Sequence, residues 1–109
     1  MDPLEKAKEL IDGDRARQHG DAEALHSTVA RLWEAYLGRG QGLAISTDQV
    51  LVMLALLKIA RTQHGETNRD DYVDALGYIG LAGRIIDRRM AEDDYEMSLS
   101  IPATGGMGI

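Results

Sequence analysis

Apolar positions recur along this chain with helical periodicity. Leu4, Ala7 and Ile11, with Lys8 between them, make one narrow stripe behind Asp2 and Pro3. Asp2 is a good N-cap, and Pro3 fits the first helical position, where no N–H is needed. Gly13 closes the segment, which predicts a short docking helix from Asp2 to about Ile11. A second helix is predicted from near Asp21 to Leu37, before Gly38. Its apolar face reads Leu25, Val29, Leu32, Trp33, Tyr36 and Leu37, and its polar face His26, Arg31 and Glu34. After the loop RGQGLAIS, Ser46 and Gln49 have the spacing of a capping box. The third helix, about Thr47 to Gln63, is apolar at every position from Val50 to Ala60 except Lys58. A helix apolar all round is expected to be surrounded by protein. Four short helices cannot readily surround one of their own, so a second subunit is expected to complete the bundle.

The turn HGETN precedes a fourth helix, from about Arg69 to beyond Met90, capped by Asn68 or Thr67. Asp70 and Asp71 suit its positive end. It is apolar on more than one side through Ala82, then turns charged at DRRMAEDDYE. The expected fold is all-α: about four helices in an antiparallel bundle completed by oligomerisation. The domain is expected over 1–97, with a mobile C-terminal tail over 98–109.

A chain of 109 residues has room for one domain. Cysteine is absent, which removes disulfides and thiolate metal sites and suits a reducing cytoplasm. The N-terminus MDPLEKAKELIDGD has no apolar signal core, and the longest apolar run, Val50 to Leu57, falls short of the roughly 20 residues that span a bilayer. The expectation is a soluble protein of the cytoplasm, with no membrane partner. A net charge of −6 disfavours a nucleic acid polymer as partner, although a local cluster of Lys and Arg can hold a small phosphate ligand.

Lys58 stands alone in the apolar third helix, with Arg61 one turn later on the same side. An unpartnered buried ammonium costs several kcal/mol. Lys58 therefore snorkels, pairs with a carboxylate, or binds a phosphate or carboxylate ligand. Asp71 and Asp74, three apart, share a face of the fourth helix, and Asp74 lies too deep to act as a first-turn acid. It wants a cation: Lys58, Arg61 or a divalent metal. Gly77, Gly80 and Gly83 keep near one side of the same helix, which points to close helix approach or backbone access for a ligand. The run Asp14-Arg15-Ala16-Arg17-Gln18-His19-Gly20-Asp21 is either a polar linker or a loop closing on an anion through Arg15, Arg17 and His19. No zinc-ligand spacing and no Ser/His/Asp arrangement is present.

The runs DRARQHGD, RLWEAYLG, LLKIAR and DDYVDALGYIGLA resemble a family of small phage and prophage proteins known as a domain of unknown function, over about residues 9–86. That resemblance implies a phage or prophage origin, and so a bacterial host cell. More distantly, Asp71-Tyr72-Val73-Asp74-Ala75-Leu76-Gly77-Tyr78 is similar to the second metal motif of the MazG-type all-α nucleotide pyrophosphohydrolases. Those enzymes are helical oligomers that bind magnesium and cleave nucleoside triphosphates. The resemblance implies that Asp71 and Asp74 hold Mg2+; Asp21 or Asp14 is a further candidate ligand from the preceding loop. The preceding helix departs from the pattern: it reads M-L-A-L-L-K-I-A-R where that family has a Glu-x-x-Glu pair. The expected function is handling of a phosphate-bearing nucleotide at Arg15, Arg17, His19, Lys58 and Arg61, with or without metal-dependent hydrolysis. Its alternative is a non-catalytic oligomer that sequesters a host nucleotide signal or docks on a host protein.

Overall fold

A computed structural model describes residues 1–13 and 21–100, which form helices joined by turns, with no strand among the described residues. Helix α1 spans Pro3–Asp12, α2 Ala22–Gly38, α3 Thr47–Arg61 and α4 Arg69–Ser100. The predicted caps are in place. The Asp2 carboxylate accepts from the Leu4 N–H at 3.1 Å, and Asp21 from the Glu23 N–H at 2.9 Å. Gln49 reaches back to the Ser46 N–H at 3.0 Å, and Asn68 accepts from the Asp70 N–H at 2.9 Å. Arg39, in the left-handed region at φ 47°, ends α2.

Helices α3 and α4 form the central antiparallel pair, with α1 against α4 and α2 against α3. Leu51 of α3 packs with Ala82 and Ile85 of α4, flanked by Tyr78 and Leu81. Val50 of α3 packs with Ala30 of α2 and Ile45 of the loop, flanked by Val29, Trp33 and Leu54. At 100° per residue, the positions of α3 facing α2 and those of α4 facing Ile11 of α1 fall on the same side of the pair. Both short helices therefore cover one side of the layer. The other side is bare: Val52, Leu56 and Ile59 of α3 and Tyr72, Leu76 and Ile79 of α4 are all exposed. The all-apolar third helix is thus covered on one half only.

Helix α2 turns only part of the expected face inward: Val29 and Trp33 pack against the core, and the rest does not. Leu25, Leu32, Tyr36 and Leu37 are exposed, Tyr36 by 81%, whereas His26 and Ala30 are buried. Small Ala30 lets α2 approach Val50 closely, and the His26 ring is satisfied by the Ala22 carbonyl at 2.6 Å. Arg31 and Glu34 then hold the following loop. Glu34 accepts from the Ile45 N–H at 2.6 Å, and Arg31 donates to the Ile45 carbonyl at 2.5 Å. This clamp acts together with the packing of Val29, Ala30 and Trp33 to orient α2.

Three arginines of α4 each fasten a different helix. Arg84 meets Asp12 of α1 at 2.7 Å, Arg88 meets Glu23 of α2 at 2.5 Å, and Arg89 meets Asp48 of α3 at 2.8 Å. Hydrogen bonds from Arg84 and Lys8 hold the Asp12 carboxyl well below its ordinary value. Burial raises the Asp48 carboxyl, but hydrogen bonds from Arg89 and Ser46 outweigh it and leave it lowered. Both acids therefore stabilise the fold above the ordinary carboxylate range, and that contribution fades as pH falls from about 4 downward. The urea midpoint is expected to drop between pH 5 and pH 3, and the drop to be shallower in Asp12→Asn than in the parent, as circular dichroism would show.

Candidate functional site

Where α3 ends and α4 begins, opposite charges line up in antiparallel order. Lys58 and Arg61 lie three apart in the last turns of α3, and Asp71 and Asp74 lie three apart in the first turns of α4. Each set suits the partial charge of its own helix end. The Lys58 ammonium sits 3.1 Å from the Asp74 carboxylate, and Arg61 Nε sits 2.9 Å from Asp71 Oδ1. The two ion pairs form rungs of one ladder. Asp71 is only 4% exposed, while the Arg61 side chain keeps 56% of its surface in solvent. The lower rung is therefore a buried acid under a reachable guanidinium. Of the partners open to Lys58 and Asp74, each has the other within ion-pair distance.

Asp21 stands apart from this ladder. Asp21 caps α2 and lines a cavity of about 270 Å³ with Ile11, Leu51, Leu81, Arg84 and Arg88. Arg15, Arg17 and His19 lie outside the described residues. Among the described residues, no group of three or more His, Asp or Glu side chains comes together as a metal site. Magnesium prefers six oxygens in near-octahedral order. Two carboxylates that each already hold a cation do not fit that ion on their own.

Sequence reasoning placed His26 on an outer polar face, yet it is one of two buried polar side chains among the described residues, the other being Asp71. Its ring stands edge-on to Tyr78, with centroids 5.9 Å apart at 83°. A histidine four residues before an alanine on a helix facing a tyrosine is a weak signal, and nothing in periodicity would have singled it out.

The fold and this ladder define a small all-helical domain whose polar chemistry sits at one end of a helix pair. Residues 2–86 match the profile of a family described as Domain of unknown function (DUF6378), and the chain belongs to that family. It is similar to the Gene 55 protein of Mycobacterium phage L5, with 37% identity over 111 residues, covering 94% of this chain and 67% of the relative. It is also similar to the Gene 55 protein of Mycobacterium phage D29, with 33% identity over 84 residues, covering 77% of this chain and 53% of the relative. The chain therefore spans between half and two thirds of these phage relatives. No solved structure matches it significantly.

The ladder makes a testable energetic claim. Lys58→Met and Asp74→Leu should each destabilise the protein, because each strands a half-buried charge, and the double variant should recover part of the loss. A coupling of about 0.5–3 kcal/mol is expected for residues in contact. Strictly additive losses in urea titrations would dissolve the pair.

Proposed function

We propose that this phage protein is a self-associating helical module that binds a phosphate-bearing nucleotide and hydrolyses it slowly or not at all. The observation that carries the reading is the Arg61 guanidinium, over half exposed at the end of α3 while Asp71 and Asp74 are already paired with Arg61 and Lys58. Carboxylates closed by cations are poor metal ligands. Arginine and lysine held beside each other at a helix end, with one guanidinium half in solvent, suit phosphate oxygens. Arg15, Arg17 and His19 would add positive charge from the segment before Asp21. The likeness to MazG-type enzymes supports a nucleotide as ligand, while Lys58, standing where a glutamate is needed, supports binding over turnover. Self-association follows from the bare side of the α3–α4 pair. No described helix is long and apolar enough to cross a membrane. The host cytoplasm is proposed from the nucleotide reading and the phage relatives.

The alternative, docking on a host protein, is favoured by the exposed stripe Leu25, Leu32 and Tyr36 on α2, away from the ladder.

A thermal-shift screen of nucleotides with and without magnesium separates the readings, because a ligand that binds only the folded state raises its melting temperature. A rise of several degrees without magnesium, lost in Arg61→Ala, is expected. Pyrophosphate release should stay far below the ~1 s⁻¹ of an ordinary enzyme. Turnover near that rate, abolished by Asp74→Asn, would establish an enzyme instead. No shift with any nucleotide would leave host-protein docking.

A further inference from the structure

Along α4, Tyr72, Leu76, Ile79, Gly83, Ile86 and Met90 recur at alternating spacings of four and three. That is the seam of a helix that meets another along its length. Helices α1, α2 and α3 leave it open: Tyr72, Leu76, Ile79 and Met90 are exposed by 50%, 37%, 48% and 59%. Gly83 sits in the middle of the seam. A Cβ at Gly77 or Gly80 would meet Ile11 at 3.7 or 3.6 Å, but a Cβ at Gly83 would meet nothing within 4 Å. A glycine inside a helix costs about 1 kcal/mol relative to alanine, and no contact within the described chain requires one here. Past Arg89, which makes the last ion pair to another helix, α4 runs on to Ser100 with Met90, Tyr95 and Met97 exposed.

We propose that the seam is filled by α4 of a second copy, antiparallel across a two-fold axis at Gly83. This geometry rests on the self-association proposed above and gives it an axis. The two glycines let the helices approach where they cross. Ile79 then faces the partner's Ile86, and Leu76 the partner's Met90. The acidic run Glu92, Asp93, Asp94 and Glu96 stands at the negative end of its own helix, an unfavourable position. Antiparallel pairing brings it to the partner's Arg69 and the positive end of that helix, where the partner's Asp70 and Asp71 offset part of the attraction. Arg69 makes no ion pair with another residue among those described. The overhang past Arg89 lies along Val52, Leu56 and Ile59 of the other copy, on the side that its own short helices leave bare. Val52, Leu56, Ile59, Tyr72, Leu76 and Ile79 expose on the order of 600 Å² between them, and Met90 and Met97 bring this near the roughly 800 Å² per partner of a standard interface. A self-complementary patch of this kind closes as a dimer instead of growing as a filament.

The chain has no cysteine, so one introduced thiol reports without background. Gly83→Cys, mildly oxidised at low micromolar concentration, should form a disulfide-linked dimer, whereas Leu32→Cys on α2 should not. Gly83→Arg should shift the light-scattering mass from dimer to monomer with helix content unchanged, because the position is open within the chain. A dimeric parent whose Gly83→Cys stays unlinked and whose Gly83→Arg stays dimeric would overturn this axis while leaving self-association intact. Equal linkage of both cysteine variants would also overturn it. A monomeric parent would overturn both the axis and the self-association.

Discussion

Val50, Leu51 and Ala55 are almost completely withdrawn from water, while Val52, Leu56, Leu57 and Ile59 on the same helix remain in it. This split burial of α3 organises everything around it. A helix of this composition gains most from neighbours on all sides, yet the chain supplies two layers at best, since α1 and α2 must both find their own apolar support. Placing them together on one side gives each a floor: Ala30 and Ile45 on Val50, Ile11 over Gly77 and Gly80. The arrangement leaves Val52, Leu56 and Ile59 of α3 beside Tyr72, Leu76 and Ile79 of α4 on the opposite side. A contiguous apolar surface of this kind is the ground for the self-association proposed above.

Charged residues set geometry here more than they add stability. Most of the ion pairs are half exposed, and such pairs contribute little on their own. What they do is remove alternatives. The ladder of Lys58 with Asp74 and Arg61 with Asp71 matches in one antiparallel register, and a slip of one turn would strand the buried Asp71. Arg84, Arg88 and Arg89 tie the ends of α1, α2 and α3 to successive turns of one helix. The lower half of α4 thereby serves as a common post for the rest of the domain.

Much of this was legible in the sequence, for local reasons. Helix limits followed from Asp2, Asp21, Ser46, Gln49 and Asn68, whose capping acts within a few residues. The Lys58–Asp74 pair was legible because each is a lone charge in an apolar stretch, so each limits the other's choices. The buried face of α2 was legible only at Val29 and Trp33. Periodicity there favours Leu25, Leu32 and Tyr36, and the competing claims of Ala30 and His26 depend on a loop that reaches back from Ile45. Helical spacing carries no information about a contact formed across fifteen residues of chain. Gly83 could be read as a close-approach residue, but only the empty space around it separates it from Gly77 and Gly80. Whether Asp71 and Asp74 serve a metal or a cation could not be read from spacing either, since both uses call for the same i, i+3 acids.

The clamp on Ile45 has a further consequence. Its N–H and its carbonyl are both satisfied by side chains of α2, and its own side chain is buried in the core. A connecting segment is ordinarily the first part of a domain to open, and its amides exchange with solvent long before those of the helices. Here the amide of Ile45 can be released only when Glu34 lets go, which ties that part of the loop to the helix before it. Ile45 should therefore open together with α2, while the rest of the loop opens on its own. In hydrogen exchange, a single slow amide amid fast loop neighbours would mark it.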